Sequence, residues 1–207
     1  WVHIVDVSYC VRPGTALDKE AYRRGTSVYV TDRVVPMLPQ VLSNGICSLN
    51  PHEDRFTITA QMDVGMDGAV RSAQIYPAII RSDERMTYGN VNRIIAKDEQ
   101  LVRRYAHLLL MIDNMMGCSA LIRKRRHALG AVNFETRESK VIVDEQGAPQ
   151  DIVLRERGES ERIIEDFMIA ANETVASHIY NMDLPFIYRV HGTPNSDKID
   201  DFTNLLK

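Results

Sequence analysis

Phe56-Thr57-Ile58-Thr59-Ala60-Gln61-Met62-Asp63-Val64 alternates apolar and polar side chains without interruption. Successive side chains on a strand point to opposite faces, so the stretch predicts a strand with one apolar side. Asp67-Gly68 is a hairpin turn signal, and residues 70–80 supply a return partner. Pro77 has no amide hydrogen to give to a ladder, which assigns that partner to an edge or a bulge. Working outward, Trp1, Val5, Val7, Tyr9 and Val11 fall on one side of an extended run over residues 1–11. Thr15 is suited to cap a helix over residues 16–24, with Asp18 completing a capping box and Gly25 as the exit.

Leu101, Tyr105, Leu108, Ile112, Met115 and Ile122 recur at helical spacing and predict one long amphipathic helix ending near Gly130. Val141 and Val143 predict a strand, residues 145–149 a turn, and residues 152–155 the next strand. Ser160 is placed to cap a second long helix over residues 161–181. Residues 186–190 predict a short strand, and residues 197–207 a helix capped by Ser196. Hairpins with helices inserted between them predict an α+β fold, a mainly antiparallel twisted sheet flanked by helices, in one domain.

Composition narrows the function classes. A chain of 207 residues with 44% apolar side chains is long enough for a sizeable core. No apolar run approaches the roughly 20 residues of a membrane span, so no membrane partner is expected. Cys10, Cys47 and Cys118 are odd in number and widely spaced, against a disulfide framework or a zinc site and in favour of a reducing cytoplasm. The net charge of −3 excludes a uniformly basic nucleic-acid binder but not a local basic groove. The histidines lack paired-ligand spacing, and neither a Walker loop nor a nucleophile elbow is present. Asp197, Asp200 and Asp201 read as the acidic start of a helix, not a metal site.

Tyr22-Arg23-Arg24-Gly25-Thr26-Ser27-Val28-Tyr29-Val30, Pro36-Met37-Leu38-Pro39 and Leu42-Ser43-Asn44-Gly45-Ile46-Cys47-Ser48-Leu49-Asn50-Pro51 are poor material for a plain helix or strand. They read as an ordered, irregular loop system of the kind that serves a site. These motifs, with His3-Ile4-Val5-Asp6-Val7-Ser8-Tyr9 upstream, closely resemble the RNB catalytic domain of the ribonuclease II/ribonuclease R superfamily, nearest its bacterial ribonuclease R branch.

The resemblance implies a processive hydrolytic exoribonuclease that takes single-stranded RNA from its 3′ end, releases nucleoside 5′-monophosphates and uses a pair of Mg²⁺ ions. In the family the metal-binding aspartates lie just upstream of the counterpart of Trp1, and a Ser-Pro-Ile-Arg-Arg-Tyr motif lies downstream of the counterpart of Lys207. The chain is therefore expected to be the central part of an RNB domain, residues 1–207, truncated at both ends. It would hold the RNA-gripping part, with no catalytic and no metal-binding residue of its own. A non-catalytic RNB relative that binds RNA 3′ ends is the alternative, and a scaffold oligomerising through the 101–122 helix is a third.

An enzyme indifferent to sequence must hold bases by stacking and must recognise ribose by its 2′-hydroxyl. The resemblance assigns Tyr29 and Phe134 as two jaws on the terminal nucleotides, and Tyr88 and Glu165 as the ribose readers. Read from the residues alone, Tyr29 is a half-buried strand residue, Phe134 ordinary core and Glu165 a solvated helix residue. Ile164, Met168, Ala171 and Val175 mark an apolar helix side next to Glu165, compatible with an inward-facing carboxylate. Arg189 and His191 lie at the end of the predicted 186–190 strand and are weak candidates for meeting phosphate. The basic run 123–127 reads as cations complementing a helix C-terminus.

Overall fold

In the computed structural model the 56–80 hairpin forms as expected and extends at both ends. Strands β4 (Asp54–Val64) and β5 (Val70–Arg81) pair antiparallel from Asp54 opposite Arg81 to Val64 opposite Val70. Strand β1 (Val2–Val5) joins the other side of β4, giving the order β1-β4-β5. β5 is therefore an edge, which accommodates Pro77 opposite Ile58; the bulge falls elsewhere, between Asp63 and Val64. The structure describes residues 1–31, 33–132, 138–144, 146–155, 157–190, 192–193 and 195–205.

Among the described residues every ladder is antiparallel, but in three separate sheets, and one isolated bridge, Pro51 with Ser82, is parallel. β2 (Val28–Tyr29) pairs with β3 (Val34–Val35), and β6 (Glu138–Val143) with β7 (Pro149–Arg155). On β4 the threonine side is the more deeply buried. Thr57 and Thr59 are buried while Phe56 and Ile58 are exposed. The threonine hydroxyls make this possible: they lie 3.3 Å apart, Thr59 meets His3 Nδ1 at 2.8 Å, and Thr57 donates to the Ala78 carbonyl at 3.4 Å. Burial lowers the pKa of His3.

The extended run over residues 1–11 is cut short. The Asp6 carboxylate accepts the Tyr9 N–H and starts the one-turn helix α1 (Val7–Cys10). Local capping by Asp6 overrides the alternation of Val7, Tyr9 and Val11. The Tyr9 ring then packs 4.3 Å from the ring of Phe56. Helix α2 (Ala16–Arg24) forms as anticipated: Thr15 Oγ1 accepts the Asp18 N–H, and Gly25 leaves the helix at φ 72°. The Asp18 carboxylate accepts the N–H of Gly14 while the Thr15 N–H goes to the Arg12 carbonyl, so the expected capping box does not close on Thr15.

Helix α3 (Tyr88–Ile95), capped by Thr87, has no counterpart in the sequence reading. The single long helix expected from residue 101 is broken. Asp98 accepts the N–H groups of Gln100 and Leu101 and starts α4 (Glu99–Arg104). A short 3₁₀ turn (Ala106–Leu108) follows, then α5 (Leu109–Ala128). Leu101, Tyr105 and Ile112 nonetheless bury into one cluster with Ile94, so the helical period survives the break. No Gly or Pro marks it. Gly68, at the hairpin turn, sits so close to α5 that a Cβ there would lie 2.2 Å from the Leu121 carbonyl oxygen, at a φ of 74° that also disfavours any side chain.

Helix α6 (Glu159–Asn181) begins before Ser160 rather than after it. The chain divides into two units, residues 1–174 and 175–207. In the second, residues 182–190 form no strand, contrary to the expectation for 186–190. The Tyr188 ring instead meets Phe186 at 5.3 Å and Tyr180 at 6.3 Å, both edge-on. Helix α7 (Ser196–Leu205) is capped by Asn195, whose side chain accepts the Asp197 N–H at 2.8 Å, and not by Ser196. Among the described residues no helix is long and apolar enough to cross a membrane.

Candidate nucleic-acid interface

Tyr29 ends a strand of two residues, opposite Val34, and its side chain is 79% exposed. The motif around it is spent on holding this small ladder. Arg23 and Arg24 both bind the Glu20 carboxylate, and Arg24 Nη1 also donates to the Pro36 carbonyl at 2.9 Å. The two guanidiniums hold the Glu20 pKa down at about 2. Ser27 Oγ accepts the Met37 N–H, tying the Pro36-Met37 segment to the strand that carries Tyr29. The following residues form a π-type turn (Val41–Ile46), and Arg55 on β4 donates to the Ser48 carbonyl. The irregular loop system of the sequence is thus an ordered one, and it presents a tyrosine ring to solvent.

Tyr88 and Glu165 lie on elements that touch. Tyr88 opens α3 with its ring 43% exposed, and Glu165 lies half-buried in the second turn of α6. The N-termini of the two helices meet. Ser160 Oγ lies 3.1 Å from the Tyr88 carbonyl oxygen, and the Ser160 N–H donates to Asn92 Oδ1 at 3.0 Å. From Ser160 to Glu165 the axial rise is about 7.5 Å. The two ribose-reader candidates thus lie on helices whose N-terminal ends are bonded to each other.

Glu165 is not the inward carboxylate of its helix. It is paired with Arg157, just before α6. The buried acid is its neighbour Asp166, which accepts bonds from Ser119 Oγ at 2.7 Å, Arg123 Nε at 3.0 Å and Arg126 Nη1 at 3.3 Å. The helix face is rotated accordingly: Ile163, Asp166 and Ala170 are buried, whereas Ile164 and Met168 are exposed. Burial works against the Arg123 charge, but its bonds to Glu159 and Asp166 prevail and raise its pKa. Two members of the basic run are thus committed to α6 by ion pairs, beyond any role at their own helix end. Arg157 and Asp166 escaped the sequence reading because neither charge carries a motif.

Phe134 and His191 lie outside the described residues. Arg189 is exposed, in the second unit. Among the described residues no group of three or more His, Cys, Asp or Glu side chains could hold a metal ion.

The RNB domain model matches residues 1–207. Ribonuclease R 1 of Lactococcus lactis is 50% identical over 99% of this chain and 25% of its own length. Ribonuclease R of Thermotoga maritima is 45% identical over 100% of this chain and 29% of its own. Among solved structures, Mycoplasma genitalium RNase R in complex with ribose-methylated single-stranded RNA superposes with a TM-score of 0.88 at 31% identity, over 98% of this chain and 31% of that one. The chain thus spans between a quarter and a third of the length of these relatives.

Proposed function

Because this chain belongs to the RNB domain family, we propose that it is the RNA-gripping part of a 3′-to-5′ processive exoribonuclease that releases nucleoside 5′-monophosphates. The observation that carries the reading is the corner where α3 and α6 join, which holds an exposed Tyr88 ring and a half-buried Glu165 carboxylate on bonded helix ends. A carboxylate accepts a hydrogen bond from a 2′-hydroxyl, and deoxyribose offers none in return. Tyr29 supplies a stacking face that any base can use. In this reading Phe134 closes on the terminal nucleotide from the other side, and Arg189 and His191 are candidates for phosphate contact. Mg²⁺ belongs to the intact enzyme, on ligands outside this chain.

The RNA-bound relative of Mycoplasma genitalium supports the choice of ligand. The intact protein, incubated with Mg²⁺ and RNA labelled at either end, is expected to yield mononucleotides from the 3′ end while the 5′ label stays on a shrinking strand. Early loss of the 5′ label, or internal cuts, overturns the reading. The 207-residue chain by itself is expected to release no nucleotide; Mg²⁺-dependent release by it contradicts the placement of the metal ligands elsewhere.

A further inference from the structure

The first turn of a helix leaves amide groups without helical partners. In α6 one of these is satisfied from another helix. Asn92 lies one turn beyond Tyr88 on α3, on the same face. Its Oδ1 accepts the Ser160 N–H at 3.0 Å, and its Nδ2 donates to Glu161 Oε2 at 3.1 Å. Glu161 Oε2 also accepts the Gly158 N–H at 3.1 Å and lies 2.9 Å from Ser160 Oγ. The amide orientation is fixed by chemistry, since a flipped Asn92 would turn its oxygen toward a carboxylate. A Cβ on Gly158 would lie 2.1 Å from Asn92 Nδ2, so any side chain there would displace the amide.

Glu165 follows Glu161 by one helical turn, so whatever fixes Glu161 fixes the height of Glu165 along α6. Asn92 ties that height to Tyr88. Resting on the reading of Tyr88 and Glu165 as ribose readers, we infer that Asn92 and Glu161 are positioning residues for ribose selectivity. They set where the Glu165 carboxylate stands relative to Tyr88, without themselves meeting the nucleotide. Burial disfavours charge on Glu161, yet the bonds from Asn92, Ser160 and the backbone outweigh it and hold its pKa below the ordinary value.

The test uses the intact protein and two oligonucleotides, one all-RNA and one with a single 2′-deoxy nucleotide at its 3′ end. The readout is the ratio of their kcat/KM values, with melting temperature measured alongside. Asn92→Asp sets two carboxylates against each other and should lower the ratio about tenfold, since a displacement near 1 Å can cost up to a hundredfold in rate. Adding Glu161→Gln restores a donor opposite the new carboxylate and should recover most of the ratio. If Asn92→Asp fails to fold, Glu161→Gln alone is read in its place, with a loss of about threefold expected from replacing a charged partner by a neutral one. Glu165→Ala is the reference. If it abolishes selectivity while the folded Asn92 and Glu161 variants keep it, the positioning role is wrong and the ribose-reader reading stands. If Glu165→Ala leaves selectivity intact, that reading falls and the inference falls with it.

Discussion

The corner between α3 and α6 and the ladder that carries Tyr29 are built in opposite ways. At the corner, Asn92, Ser160, Glu161 and the Tyr88 backbone form a part-buried network in which one carboxylate oxygen serves three donors. The adjoining Asp166 is buried and accepts from three side chains. The Tyr29 ladder has two residues in each strand, all of them exposed, and is tethered by bonds from Arg24 and to Ser27. The contrast matches the tasks proposed for them. Recognising one hydroxyl demands a carboxylate held to within a fraction of an ångström. Stacking on a base face tolerates sliding, so an exposed ring on a slight support suffices.

The largest effect separating the two regions should come from Asp166→Ala. It would remove the buried carboxylate that Ser119, Arg123 and Arg126 share, while Arg123 keeps Glu159, and losing hydrogen bonds to a charged group costs about 1.5–3 kcal/mol. Urea unfolding of the chain measures this; a loss below about 1 kcal/mol, the range of exposed pairs, would mean the corner is no more rigid than the surface. Tyr29→Ala should come next and in a different quantity. Stability should change by no more than about 0.5 kcal/mol, because the ring is exposed. Binding of a short single-stranded RNA by the intact protein should weaken by about 1–3 kcal/mol, the worth of one stacked base. Unchanged binding would remove Tyr29 from the grip.

Arg157→Ala should have a smaller effect on stability, at most about 1 kcal/mol, since its partner Glu165 is only half-buried. It should nevertheless reduce discrimination against the 2′-deoxy end, because Glu165 loses the group that orients it. Intact discrimination would show that the pair is incidental. The smallest effects are in acid. Glu161 has its folded pKa depressed below 4.5, so its contribution to stability is complete above that value and is lost as pH falls through the lower folded pKa. Glu20 follows the same sign, losing its pairs as pH falls toward about 2. Carboxyl titration followed by NMR should find both groups below the ordinary range; an ordinary value for Glu161 would loosen the corner that the comparison takes as rigid.

The parts legible in the sequence are those decided locally. The β4–β5 hairpin could be read because alternation and Asp67-Gly68 agree, and α2 because Thr15 and Gly25 bracket it. The broken helix could not, because α4 ends at Tyr105 and a 3₁₀ turn leads into α5 with no breaker residue while the same face stays buried. The strand expected at 186–190 had suitable residues but finds no ladder. At the site, the motif around Tyr29 and the positions of Tyr88 and Glu165 could be named from resemblance. The network that bonds the helix of Tyr88 to the helix of Glu165 could not, since Asn92 and Ser160 are 68 residues apart and each reads as an ordinary polar residue. Nor could the exchange of roles between Glu165 and Asp166, which differ by one position on a helix and so by about 100° in facing.

The claim on which all of this turns is that the Glu165 carboxylate senses the 2′-hydroxyl of the RNA end. Turnover by the intact protein on an all-RNA strand, divided by turnover on the same strand ending in one 2′-deoxy nucleotide, measures it directly. Glu165→Ala is expected to bring that quotient close to unity in a protein that melts like the parent. A quotient equal to the parent's would contradict the account.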